Sequence, residues 1–318
     1  MFIGLFTLVP LRLFLFLLTT FIGGITVVIF HKLRCKAISL YLLQISCRLM
    51  LFHLGYLYID VQGKIPPNCP PIIISNHISL IETLHLVTLM SERNKVVSFI
   101  TKNSVFSIPI IGRIAKDVLQ CIGVSRSIKE NTKTTTTTTS SVTSRILNRV
   151  NTNSNSNSIN SGKNCRIILF PEGTTTNGKH ILSFKTGAFV PMKSILPIIY
   201  SFPNSGSFVP TYESIWTPVY VWRTLCQPWN NLKCTILNTI QPPTTLISKS
   251  SMSSPTPKEY SEYAQNIMAK ALCVTVAKKD YHDKLQYHDT LRKEYLSHPN
   301  GSIYAMIFQP MIIKESVK

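Results

Sequence analysis

From Leu13 to Phe30 the chain reads LFLFLLTTFIGGITVVIF, eighteen residues without a charged side chain, and the run then meets His31, Lys32, Arg34 and Lys36. That length is just enough to cross a bilayer core as a helix. A secretory leader would carry a shorter apolar core and a small-residue cleavage site, not a basic cluster. A transmembrane helix over about 13–30 is therefore expected, with the remainder of the chain on the cytoplasmic side. A second stretch, Ala37 to Ile59, is mostly apolar but contains Arg48 and His53. It favours an interfacial or re-entrant helix at about 37–59 over a second span, with a core helix as the other reading. Residues 1–60 thus read as an N-terminal membrane anchor.

Beyond the anchor the chain has no further long apolar run, which excludes a polytopic transporter. Of the 318 residues 45% are hydrophobic and 15% charged, against roughly 25% charged in an ordinary soluble domain. Wholesale disorder is excluded as well. The charge is lopsided: 33 Lys and Arg face 14 Asp and Glu, a net +19. Such a surplus favours polyanions. With an apolar N-terminus and scattered basic residues, the expected partner is an anionic membrane leaflet and not nucleic acid. The eight cysteines form no CxxC pair and no zinc-type spacing with histidine, so they read as thiols facing a reducing compartment, with no metal site expected.

A polar, proline-marked break, Gly63 to Pro71, separates the anchor from the rest of the chain. Short apolar runs then alternate with helix-like segments. Strands are expected at Ile72–Ser75, Val96–Ile100, Cys121–Ser125, Arg166–Phe170, Ile195–Tyr200 and Leu232–Leu237, with a helix at Ser79–Met90. The alternation predicts an α/β fold, a mostly parallel sheet flanked by helices, over residues 61–250. Residues 131–163 interrupt it with six threonines (Thr134–Thr139) and the tract NTNSNSNSIN. This composition predicts a disordered insert, with room for a short helix at Val142–Val150. Residues 251–318 read as a C-terminal helical tail, opening on an amphipathic helix at about Lys258–Cys273.

Four constellations carry chemical potential. His77 follows a strand directly, at the carboxyl end where open α/β sheets place ligands. Glu82 is five residues on. Five positions along a continuous helix turn through about 500°, so the two would not share a face. His77 must precede the helix, with Glu82 reaching back from its first turns to a ring nitrogen, as the carboxylate does in hydrolase triads. A lone histidine is more often structural, and it is the position that raises this one. Phe170-Pro171-Glu172-Gly173-Thr174 reads as a tight turn at the end of another strand, with Gly173 allowing close backbone approach. Arg126 follows a third strand and has the fork to clamp a phosphate, though in isolation it reads as a solvated or lipid-facing arginine. Lys185, in Phe184-Lys185-Thr186-Gly187, is either a phosphate contact or a surface lysine, and it lacks the P-loop spacing. No G-x-S-x-G nucleophile elbow accompanies His77. A base without a protein nucleophile suggests that a substrate hydroxyl is the nucleophile.

These residues resemble the sequence blocks of the glycerolipid acyltransferase superfamily. Asn76–Glu82 is similar to its His-x4-Asp/Glu block. Ile108-Pro109-Ile110-Ile111-Gly112, leading to Val124-Ser125-Arg126, is similar to the second block, Phe170–Thr174 to the third, and Ile195–Ile199 with Pro197 to the last. The string FPEGTTTNG, then FKTGAF and YSFPN, resembles the lysophosphatidylcholine and lysophosphatidylethanolamine acyltransferase branch, as does Glu82 in place of aspartate. The chain departs from the pattern at Ser125, where the family has an aspartate before the arginine.

The resemblance implies a membrane-bound enzyme that moves a fatty acyl group from acyl-CoA to the free hydroxyl of a lysophospholipid. His77 would be the general base and Glu82 its orienter. Arg126, Glu172, Gly173, Thr174 and Lys185 would bind substrate. Acyl-CoA would be a co-substrate, with no separate cofactor and no metal. The membrane would be that of the endoplasmic reticulum, with the catalytic domain facing the cytosol. The alternative is a non-catalytic lipid-binding or scaffolding module on the same fold, against which the pairing of His77 with Glu82 argues.

Overall fold

The computed structural model describes residues 2–90, 96–124, 135–154, 166–203, 209–212, 217–243 and 255–279, with positions 281, 283, 284, 286, 287 and 290. Helix α1 (Phe2–Leu18) runs through a π-type turn at Thr19–Gly23 into α2 (Gly24–Lys32), and α3 (Lys36–His53) packs back against them. Then come β1 (Ile59–Gln62), β2 (Ile72–Ser75), α4 (Ile81–Met90), β3 (Val97–Lys102), the single turn α5 (Ile111–Arg113) and β4 (Ile122–Val124). Helix α6 (Thr135–Ser154) leads to β5 (Arg166–Leu169), β6 (His180–Leu182), β7 (Ile195–Ser201), α7 (Thr217–Leu225), β8 (Leu232–Ile236), α8 (Pro257–Leu272) and β9 (Thr275–Ala277).

Seven strands form one sheet in the order β1-β8-β7-β2-β5-β3-β4, parallel throughout except where β8 runs antiparallel to β7. Strands β6 and β9 form a separate parallel pair. The central strands are buried on both faces, which is why they read as unbroken apolar runs rather than as alternation. Their side chains divide by parity. Ile73 and Ile168 join a core with α3, α4 and α7, while Ile72, Ile74, Ile167 and Leu169 join a second core with α6 and α8. The result is three layers with the sheet in the middle.

The anchor is part of this body. On α3, Leu40, Leu43, Cys47 and Leu51 are buried in the first core at helical spacing. On its other face Ile38, Tyr41, Ile45, Leu49 and Phe52 are exposed. Helix α1 and its extension add a second exposed apolar stripe, Leu11, Phe14, Leu18 and Phe21. The segment Leu8–Lys32 is long and apolar enough to cross a membrane. Two points along it, Arg12 and Gly24, nevertheless rest on the domain. The Arg12 guanidinium donates to the carbonyls of Gln227 and Pro228, each at 2.6 Å. Twelve residues on, about 18 Å along the axis, Gly24 lies so close to Ile110 that a Cβ there would collide with Ile110 Cγ2. The segment expected as an anchor over 1–60 thus also packs against the domain.

Two other segments depart from expectation. The insert is helical over Thr135–Ser154, because Ile146 and Val150, one turn apart, bury against the second core. Arg149 donates to Gln120 O at 2.7 Å and Ser98 Oγ at 2.9 Å, and Arg145 to Gly123 O at 3.1 Å. The two apolar positions and two arginines outweigh the polar composition. The rest of the insert, 131–134 and 155–163, lies outside the described residues. The C-terminal helix, in turn, is no tail. α8 opens on a Thr256–Glu259 capping box and buries Tyr260, Ala264, Met268 and Ala269 in the second core.

Candidate active site

Strands β2 and β5 are neighbours in register, with Ile74 opposite Leu169. Three residues past each partner stand His77 and Glu172, so the fold brings two distant sequence blocks to one point at the carboxyl edge. On the other side, Asn76 extends the ladder after β2 ends. Its side-chain amide donates to Tyr200 O at 2.9 Å and its Oδ1 accepts from Tyr200 N at 2.8 Å.

The His77 ring stacks on Phe170, centroids 4.1 Å apart and planes 18° from parallel. Its Nδ1 lies 2.8 Å from Glu82 Oε1. An ionised carboxylate only accepts, so Nδ1 carries the proton and Nε2 keeps the lone pair. The histidine side chain is 18% exposed and the glutamate is fully buried. Glu82 stands in the first turn of α4 and folds back over the helix N-terminus. Its oxygens accept from Ile78 N at 2.6 Å, Ser79 N at 2.8 Å and Ser79 Oγ at 2.8 Å. The carboxylate thus caps the helix, where a negative charge is favoured, and orients the imidazole with the same atoms.

Glu172 does something other than was expected of it. Its Oε1 accepts the His77 N–H at 3.1 Å and its Oε2 the Leu182 N–H at 3.0 Å, and the residue is 2% exposed. Burial pushes its pKa up to about 7, against the two backbone hydrogen bonds that favour the ionised form. With both oxygens taken by backbone N–H groups, this buried carboxyl presents neither of them to a substrate phosphate. Gly173 closes the turn, its N–H donating to Phe170 O at 2.9 Å with φ at +69°. The Lys185 side chain lies across it, Cε 2.9 Å and Nζ 3.2 Å from where a Cβ would stand. Thr174 is buried. Thr176 N donates to His77 O at 2.8 Å. Arg126 lies outside the described residues.

The structure therefore gathers His77, Glu82, Glu172, Gly173, Thr174 and Lys185 at one end of β2 and β5. Sequence reading overlooked Ser79, although Ser79-Leu80-Ile81-Glu82 carries the S-x-x-E signature of a helix start. It also overlooked Phe170 as the ring's platform, for which no local signal exists. His85, one turn beyond Glu82, is buried, bonds Tyr200 Oη through Nδ1 at 2.9 Å, and has its pKa drawn down to about 4 by burial. It is a neutral structural histidine.

Residues 58–203 match the family model described as Acyltransferase. The chain is 31% identical to the lysophospholipid acyltransferase LPEAT1 of Arabidopsis thaliana, over 71% of its own length and 50% of that protein's. It is 26% identical to lysophosphatidylcholine acyltransferase 1 of Rattus norvegicus, over 76% of its length and 41% of that protein's. Its fold matches a crystal structure of the 1-acyl-sn-glycerophosphate acyltransferase PlsC from Thermotoga maritima, with a TM-score of 0.50 and 17% identity, over 82% of this chain and 94% of that one. Over residues 58–203, just under half of its length, the chain is thus similar to the glycerolipid acyltransferase superfamily. The acyltransferase match begins one residue before β1 and ends just past β7, so it takes in every residue gathered at the carboxyl edge. The chain spans half or less of the length of these curated relatives.

Proposed function

We propose that the protein transfers a fatty acyl group from acyl-CoA to the free hydroxyl of a lysophospholipid. The observation that carries this reading is the His77–Glu82 pair at the sheet's carboxyl edge, its Nε2 lone pair unblocked by the carboxylate, in a chain similar to proteins named as lysophospholipid acyltransferases. Nε2 takes the proton from the acceptor hydroxyl as its oxygen attacks the thioester carbonyl. The tetrahedral adduct collapses, the C–S bond breaks, and the imidazolium returns the proton to the departing CoA thiolate. Glu82 stabilises the imidazolium between the two steps. Lys185, beside the Gly173 turn, and Arg126 supply cations for substrate phosphates.

The exposed stripes on α1–α3 face an anionic leaflet, that of the endoplasmic reticulum on its cytosolic side. The helices lie in that leaflet, a reading supported by the contacts of Arg12 and Gly24 with the domain. In sealed vesicles, an impermeant thiol reagent should reach Cys35 and a Leu8→Cys variant from the same side. Reaction from opposite sides would establish a crossing.

The activity test uses the protein reconstituted in lipid, labelled acyl-CoA and a panel of lysophospholipids. Transfer is expected to at least one acceptor. His77→Ala should lower it by about 10²-fold or more with equal recovery in the membrane fraction. Activity within a few-fold of the parent would remove the general base from the mechanism.

A further inference from the structure

After α8 the chain turns back toward the site. β9 pairs in parallel with β6, matching His180 with Thr275 and Leu182 with Ala277. His180 Nδ1 and Thr275 Oγ1 are 2.7 Å apart, and Ser183 N donates to Lys279 O at 3.2 Å. β6 itself follows directly on the Phe170–Thr176 turn, so this pairing lays the C-terminal segment alongside it. Lys284 then donates through Nζ to the carbonyl of Thr175 and, at 3.3 Å, to Thr175 Oγ1. The Thr175 carbonyl belongs to the same peptide group as the Thr176 N–H, and that N–H donates to His77 O.

We propose that Lys284 is a positioning residue for His77, acting through the Thr175–Thr176 peptide. An ammonium on a carbonyl is a charge-assisted contact, stronger than a neutral one. It polarises the peptide and strengthens the N–H at its other end. The His77 main chain is then gripped on both sides, its C=O by Thr176 and its N–H by Glu172, while Glu82 fixes the ring. Lys284 also supports the second grip, because its positive charge favours the ionised form of Glu172. The residue stands outside the 58–203 match, so the segment beyond the recognised domain completes the support of the base.

This inference rests on the reading of His77 as the base. Its test separates the two. Lys284→Met keeps an unbranched side chain, one atom shorter, and removes the charge; Lys284→Arg keeps a donor. In the full-length protein, Lys284→Met should lower kcat about 10-fold, a loss typical of a misplaced catalytic group, with both KM values within about two-fold. Lys284→Arg should recover most of the rate. Hydrogen exchange of the peptide containing the Thr176 amide should quicken in Lys284→Met while the β2 peptide stays protected, a readout that needs no catalysis. An unchanged kcat alongside an inactive His77→Ala, a raised KM for either substrate with kcat spared, or unaltered exchange at Thr176 would each overturn the proposal. Quickened exchange without a kcat change, together with an active His77→Ala, would locate the failure in the general-base reading instead.

Discussion

Glu172 holds His77 by its backbone, accepting the histidine N–H at 3.1 Å from the turn after β5, 95 positions further along the sequence. The same carboxylate takes the Leu182 N–H with its other oxygen. Glu172→Gln, though equal in size, offers one acceptor and one donor, so one N–H must face an NH2 group. An unsatisfied buried donor costs about 1–3 kcal/mol. The variant is expected to lose about 10-fold or more in kcat with little change in the acceptor KM. A raised acceptor KM at unchanged kcat would return Glu172 to the role of a phosphate seat.

Glu82 serves the ring and the helix together, so its substitution should show in two measurements. Glu82→Gln keeps one acceptor oxygen and should lower kcat while sparing both KM values. Glu82→Ala leaves Ile78 N, Ser79 N and Ser79 Oγ without their acceptor and should also lower thermal stability, by about 2–3 kcal/mol. Unaltered melting of Glu82→Ala would show that the cap is dispensable.

Helix α6 gives a third expectation. Removing residues 131–163 as though they were an inert insert would take away Ile146, Val150 and the two arginine contacts to the sheet edge. Ile146→Ala should cost about 2–5 kcal/mol, as for other buried aliphatic truncations. Substituting the exposed Asn151 by serine should cost under about 0.5 kcal/mol. Chemical unfolding of each variant decides the matter, and equal midpoints would mean that the helix adds nothing to the domain.

The buried histidine supplies a pH signature. The His85 pKa is lowered from 6.5 to about 4, chiefly by burial and also by the Arg48 charge. Folded protein then binds fewer protons there than unfolded chain, so the associated stability is whole above about pH 6.5 and is lost as the pH falls toward 4. Glu172 has the opposite sign: its pKa is raised, and its ionisation costs stability as the pH climbs from about 4.5 to 7. Comparing wild type with His85→Gln isolates the histidine. The stability difference should narrow on going from pH 7 to pH 4 by on the order of 3 kcal/mol. A constant difference would show that His85 titrates as an ordinary histidine.

What the sequence makes legible is what lies close along the chain. His77 and Glu82 are five residues apart and a strand end precedes them, so their pairing at the sheet edge follows from local spacing. The six strands expected are all in the large sheet, and for β2, β5 and β7 burial on both faces leaves the apolar runs that mark them. β1 is overlooked because Ile59–Gln62 is an edge strand with only its first residue buried. β6 and β9 are three residues each and exist by pairing with one another. The hydrogen bond from His77 N to Glu172 depends on β2 and β5 being adjacent, which no local pattern encodes. Lys284 is more remote still. The anchor misleads because α3 is apolar on both sides for two different reasons, one face packed on the sheet and the other turned outward.

Because α1–α3 share a core with the sheet, the outward stripes and the carboxyl edge belong to one packed unit. The distance between them is fixed, like the height of a plane's blade above its sole. On a leaflet, the imidazole would work at one depth only. A glycerol hydroxyl that floats higher or lower than that depth misses it, whatever headgroup it carries. Discrimination among lysolipids would then begin with how far each lets its hydroxyl rise from the acyl region, before any side chain reads the headgroup.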